Sequence, residues 1–198
     1  MRRLVAALAC RMQGTRLYGK PVQHLAKGTR ILDQILDTIE QLSSIETAVL
    51  GISEGIENQV FVDIAKFRNI PYIFGSQVDV LSRLISCGRL TAATDIFRMT
   101  TECPFLYAEP LEEAWKRHLD NSNDVTTIDG LPEGTHFEIY TLESLEVSHE
   151  RGTDRHRSEI CSRYVREHRD QFQVEVMVPP DALARVDLRL TVDHPEDL

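Results

Sequence analysis

The chain has 198 residues, of which 42% are apolar and 27% charged, and its formal net charge is −9. That length suits one domain able to bury its own core, and the composition excludes a fibrous or disordered chain. The acidic balance argues against a general nucleic-acid binder, so any anion held here must be met by a local concentration of positive charge.

Leu4–Cys10 (LVAALAC) contains no polar residue and stops at Arg11, which predicts a strand buried on both faces. The apolar run is too short for the h-region of a leader and Arg11 follows at once, so a buried strand explains it better. A polar loop with Gly14, Gly19, Gly28 and Pro21 follows. Ile31, Leu32, Ile35, Leu36, Ile39 and Leu42 then share one helical face. Residues 47–52 predict a second buried strand, 59–67 a helix, 71–74 a short strand, 78–90 a helix and 96–100 a strand. The helix predicted over 109–119 carries Trp115, which reads as core. This repeated alternation predicts an α/β fold with a mostly parallel central sheet. Ligands of such sheets bind at the carboxyl ends of the strands, in the loops after Cys10, Ile52, Phe74 and Thr100.

The second half is less regular. Strands are predicted at Val125–Ile128 and 137–140, and helices at 142–150 and 159–168. Residues 172–178 and 186–192 alternate apolar and polar, as half-exposed strands do. No window is apolar enough to span a membrane. Cys10, Cys87, Cys103 and Cys161 lack any CxxC spacing, which predicts reduced thiols and a cytoplasmic location.

The loop Arg11-Met12-Gln13-Gly14-Thr15-Arg16-Leu17-Tyr18-Gly19-Lys20 gathers three cations and two glycines after the first strand. Glycines let backbone N–H groups approach a phosphate, Arg grips two of its oxygens, and Lys adds a point charge. The loop fits neither the Walker pattern nor GxGxxG. From the residues alone, a solvated basic loop is the competing reading.

This loop resembles the ARMGSTRLPGK loop of the bacterial spore-coat-polysaccharide cytidylyltransferases, homologues of the CMP-Kdo and CMP-sialic acid synthetases. Four further stretches match in order. Gly75–Arg83 resembles GSxxDVLxR, Arg98–Pro104 resembles RITGDCP, Leu131–Glu138 resembles YPDGLDVE, and Leu188–Asp197 resembles LRWTVDxPED.

The resemblance implies a three-layer, Rossmann-like nucleotidyltransferase fold with a small irregular β-containing dimerisation region. It implies one domain over 1–198: a nucleotide-binding half to about 122, an acceptor and dimerisation region over about 123–185, and a returning strand with the metal motif over 186–198. The implied reaction is attack by a sugar-acid oxygen on the α-phosphate of CTP, with release of pyrophosphate, for surface polysaccharide synthesis. Arg11, Lys20, Glu102 and Asp193 would form the catalytic set, with Mg²⁺ held by Glu102 and Asp193. Arg11, Gly14, Thr15, Arg16 and Lys20 would hold the nucleotide, with Ser76, Asp79 and Arg83 at its rim. Arg98, Glu133, His136, Glu138 and Glu159 would face the acceptor. Two copies would pair as a homodimer, through the strand at 172–178.

The sequence also departs from the pattern. Thr101-Glu102 replaces Gly-Asp, Glu133-Gly134-Thr135-His136 replaces D-G-x-D, Glu159-Ile160-Cys161-Ser162 replaces E-H-V-T, and Tyr18 replaces a proline. Most of these changes fall in the acceptor half, which points to an unusual acceptor. The rival readings are transfer to a phosphonate or sugar phosphate, and a nucleotide-binding paralogue without catalysis. His136 reads as a strand residue, Cys103 as a thiol without a paired base, and Glu143, Glu146 and Glu150 as a solvated face. The run Arg151, Arg155 and Arg157 with His149 and His156 reads as solvated, with an acidic sugar or a partner subunit as its alternative use.

Overall fold

The apolar run Leu4–Cys10 forms β1, flanked in parallel by β2 (Ala48–Ser53) and β4 (Asp95–Arg98) in a computed structural model that describes every residue except Met1, Thr15, Ala26 and Lys27. Helices cover both faces of β1, so a polar residue there would lose water without gaining a partner. Leu4, Ala6, Leu8 and Cys10 enter one core, and Val5 and Ala7 enter the other.

The remaining strands are β3 (Tyr72–Gly75), β5 (Val125–Ile128), β6 (Glu138–Thr141) and β7 (Val174–Met177). All seven join one sheet in the order β3-β2-β1-β4-β6-β5-β7. β6 runs antiparallel to both neighbours, and every other pairing is parallel. α1 (Ile31–Glu40), α2 (Gln59–Arg68) and α4 (Leu111–Asp120) pack on one face. α3 (Val80–Leu90), α5 (Leu142–Arg151) and α6 (Arg163–Glu167) pack on the other.

α1 shows how the pattern becomes structure. Ile31, Leu32, Ile35, Leu36 and Ile39 are buried along one stripe. Each side chain removed from water contributes about 1.5–3 kcal/mol. Arg68 of α2 donates to Asp33 and Asp37, tying the polar side of α1 to its neighbour. Leu36→Ala, which leaves a hole under the sheet, costs about 2–5 kcal/mol.

The direction of winding reverses at β1. The chain proceeds from β1 to β2 and β3 on one side, then crosses back to β4 on the other. The crevice outside the carboxyl ends of β1 and β4 is therefore the ligand position this topology favours.

Two sequence expectations are corrected in the second half. Residues 186–192 do not form a strand: one bridge, Glu133 to Arg189, is the pairing they make. Val186, Leu188 and Leu190 are exposed, so their alternation has no sheet face to serve. The helix expected over 159–168 begins only at Arg163, and residues 159–162 turn toward the crevice instead. The strands β5, β6 and β7 of this half continue the main sheet. Among the described residues no helix is long and apolar enough to cross a membrane, and all four cysteines are buried free thiols.

Candidate active site

The loop after β1 is built as a tight frame. Gly19 N–H donates to the Met12 carbonyl at 2.7 Å and closes it. Gly19 has φ +62°, and a Cβ there would lie 2.8 Å from the Met12 Cε. At Gly14 a Cβ would sit 2.2 Å from the Leu17 carbonyl oxygen, so no larger residue fits without moving the backbone. Pro21 then fixes the short turn Lys20–Val22 and is itself buried, which anchors Lys20 at the crevice.

The cations of this frame meet carboxylates from distant parts of the chain. Arg16 Nη2 and Lys20 Nζ both donate to Asp193 Oδ1, at 2.7 and 2.5 Å. Arg189 reaches Asp193 Oδ2 at 3.3 Å. Asp193 keeps its place because Asp197 accepts from the Asp193 and His194 N–H groups. Arg11 Nη2 donates to Glu159 at 2.7 Å. The local positive charge that the acidic composition demands is thus present, and acidic side chains of the same chain face it.

The segment after β4 forms the opposite wall. Thr101 donates to the Ala9 carbonyl at 3.0 Å and fastens this segment to β1. The hydroxyl that replaces the family's glycine is thereby satisfied against the strand. Glu102 follows, and its carbonyl accepts from Val192 N–H at 3.0 Å, which brings the Asp193 segment alongside. Burial raises the Glu102 carboxyl above its usual range, against the pull of Lys20 and Arg98, while Asp193 and Glu159 push it further up. Cys103 is buried, which pushes its thiol up to about 11, so it is no nucleophile at neutral pH.

Arg98 and Glu138 are register partners across β4 and β6 and pair at 2.8 Å, nearly buried. Arg98 also donates to the Glu159 carbonyl at 2.8 Å. His136 sits nearby, and burial lowers its pKa against the opposing influence of Glu138, so its ring is neutral.

The cavity at the crevice is lined by Arg11, Gly14, Arg16, Lys20, Arg83, Arg98, Glu102 and Glu159, among others. Asp193 joins through its bonds to Arg16 and Lys20. Thr15 lies outside the described residues. Ser76 and Asp79 are not in the lining. The Ser76 hydroxyl accepts from the Val78 and Asp79 N–H groups, and Asp79 caps α3 through Ser82 N–H while pairing with His149. Their polar groups fold the turn before α3. Arg83 lies beneath the cavity, 1% exposed, rather than at its rim. Glu133 is exposed and meets the 188–190 segment through its backbone. Asn58 was not legible as a site residue: it is fully buried and its Oδ1 accepts from Met12 N–H at 2.8 Å.

Glu102 and Asp193 are hard oxygen donors at one wall, and among the described residues no group of three or more His, Cys, Asp or Glu could hold a metal. Two carboxylates without a full protein cage fit Mg²⁺, which leaves its other positions to phosphate oxygens and water.

No family model matches this chain. The spore coat polysaccharide biosynthesis protein SpsF of Bacillus subtilis is 25% identical over 202 residues, covering all of this chain and 84% of that protein. A cytidylyltransferase from Leptospira borgpetersenii has a TM-score of 0.90 at 25% identity, over 100% of this chain and 84% of that one. A CMP:2-keto-3-deoxy-manno-octonic acid synthetase, solved in complex with CTP, has a TM-score of 0.72 at 11% identity, over 98% of this chain and 94% of that one, a likeness of fold. By homology along its whole length and by fold, this chain is a nucleotidyltransferase enzyme of the cytidylyltransferase type, related to SpsF.

Proposed function

We propose that the enzyme transfers CMP from CTP to a sugar acid and releases pyrophosphate, in the cytoplasm, for surface polysaccharide synthesis. The observation that carries this reading is the convergence of Arg16 and Lys20 on Asp193 beside Glu102. Transfer at the α-phosphate asks mainly for alignment and for neutralisation of charge on the leaving pyrophosphate. Arg11, Arg16 and Lys20 supply that charge from one rigid loop. Each already holds a carboxylate oxygen, and phosphate oxygens offer the same hydrogen bonds with more charge. Glu102 and Asp193 would hold Mg²⁺, which when bound neutralises the phosphates and fixes their geometry.

The acceptor side falls to Arg98, His136, Glu138 and Glu159. Arg98 faces the cavity with Glu138 behind it, so its orientation is set before an acceptor carboxylate arrives. Two copies would pair along β7, the strand at one end of the sheet, where Val176 and Val178 are exposed.

The test is pyrophosphate release with CTP, Mg²⁺ and a panel of sugar acids such as Kdo and nonulosonates. Turnover with a sugar acid supports the reading. CTP binding without turnover across that panel, or turnover only with phosphonates or sugar phosphates, overturns the assignment of the acceptor.

A further inference from the structure

We infer that Arg83 and Asn58 are positioning residues that clamp the two peptides on either side of Arg11 and so aim its guanidinium at the phosphates of the nucleotide. The inference rests on the proposed function, because it assigns Arg11 to a polyanion.

Arg83 rises from α3 under the ends of β1 and β2. Its Nη1 donates to the Cys10 carbonyl at 3.0 Å and to the Gly51 carbonyl at 2.7 Å. The Cys10 carbonyl belongs to the peptide that enters Arg11. Asn58 takes the other side: its Oδ1 accepts from Met12 N–H, which belongs to the peptide that leaves Arg11. Asn58 is itself held, because its Nδ2 donates to the Glu54 carbonyl at 3.1 Å. With both flanking peptides fixed, the two soft backbone angles of Arg11 are fixed, and with them the direction of its Cα–Cβ bond.

Two features separate this arrangement from ordinary core filling. The fold leaves room for Arg83 at the ends of two strands. A Cβ at Gly75 would lie 2.8 Å from the Arg83 Cγ, and one at Gly51 would lie 3.3 Å from its Cβ. The buried guanidinium also faces carbonyls rather than a carboxylate, and its Nε has no hydrogen-bond partner among the described residues. Burying such a charge is costly unless an anion compensates it. Arg83 lines the same cavity as Arg11, Arg16 and Lys20, where a polyphosphate would do so.

The test is a double-mutant cycle on the full chain, with inorganic tripolyphosphate as the titrant in calorimetry and circular dichroism as the check of fold. Asn58→Ala is expected to weaken tripolyphosphate binding about tenfold in the unmodified background, as loss of one buried anchoring hydrogen bond does. In the Arg11→Ala background the same change is expected to have less than about a twofold effect, because the residue it positions is gone. Equal weakening in both backgrounds, or no weakening in a folded Asn58→Ala protein, overturns the inference. Should Asn58→Ala fail to fold, Arg83→Lys takes the same two arms with the same outcomes. A second readout needs no variant of either residue: the buried Arg83 side-chain NMR signal is expected to shift on saturation with tripolyphosphate, and a signal that stays in place overturns the inference. If the unmodified chain binds no tripolyphosphate and no CTP, the proposed function itself fails; if it binds both and the cycle is additive, only the positioning role does.

Discussion

Lys20 Nζ donates to the Asp193 carboxylate although 173 residues separate them in the chain. Asp193 therefore neutralises Lys20 and Arg16 in this arrangement, and in the proposed reaction it is also one of the two carboxylates that would hold Mg²⁺. Asp193→Asn separates these roles. The amide keeps the shape and one acceptor but removes the charge. Mg²⁺-dependent turnover is expected to fall by about 10²-fold or more, the scale set by losing one transition-state charge partner. Metal-free CTP binding is expected to hold or tighten, since the two cations lose a competing anion. Calorimetry with and without Mg²⁺, beside a turnover assay, reads both effects; unchanged turnover would remove Asp193 from the metal site.

Arg16 is the simplest of the loop cations to test. Its side chain is 52% exposed, so the pair with Asp193 adds little to stability. Arg16→Ala is expected to leave the unfolding midpoint nearly in place. CTP binding is expected to weaken by about 10- to 100-fold, as loss of a charge-assisted hydrogen bond of roughly 1.5–3 kcal/mol does. Unaltered CTP affinity would make the loop structural.

Much of this was legible in the sequence, and the reason is local. LVAALAC could be read as a covered strand because every residue is apolar, and Ile31–Glu40 because its apolar stripe sets both period and extent. The loop cations were visible as a charge cluster between glycines. Residues 186–192 misled because alternation shows only that two faces differ, and not whether a neighbouring strand exists. The family-like GSxxDVLxR stretch also carries a helix cap, Asp79 to Ser82 N–H, which the spacing Asp-x-x-Ser would have announced. Asn58 and the buried course of Arg83 have no sequence signal, because their partners are backbone groups that any residue supplies.

Arg98 and Glu138 offer a stability test. Burial disfavours the Glu138 charge, but Arg98 outweighs it and holds the carboxyl below its usual range. Arg98→Met leaves that carboxylate unpaired and is expected to cost about 3–5 kcal/mol at pH 7, with much of it recovered by adding Glu138→Leu. A depressed carboxyl contributes stability above its unfolded value of about 4.3 and loses that contribution as pH falls through its lower folded value. The penalty of Arg98→Met is therefore expected to shrink in acid. Urea unfolding across pH reads this, and a penalty constant down to about pH 2 would deny the ion pair its role.

The free edge of β7 bears on assembly. Val178, which follows β7, is 84% exposed. Val178→Lys is expected to shift a dimer toward monomer in sedimentation equilibrium without lowering the unfolding midpoint of the monomer, since a charge opposite its own copy is repelled. A species unaffected by this change would place the contact elsewhere.

Glu102 shows the opposite pH behaviour from Glu138. Its carboxyl is raised by burial, with Asp193 and Glu159 adding to the effect. Between its unfolded value and its higher folded value the native chain binds the extra proton, so stability falls as pH rises through that window. Above the window the charged carboxylate is a standing cost of the fold. Glu102→Gln removes the charge and keeps the shape. The variant is expected to unfold at a higher temperature than the unmodified chain at pH 7, and the advantage is expected to vanish in acid, below about pH 4, where Glu102 is protonated in both states. Turnover is expected to fall in the same variant, because one of the two carboxylates proposed to hold Mg²⁺ is gone. A site kept for chemistry at the expense of stability behaves in this way. Scanning calorimetry at several pH values with a parallel turnover assay decides the matter: a variant less stable at pH 7, or fully active, would show that Glu102 serves the fold and not the reaction.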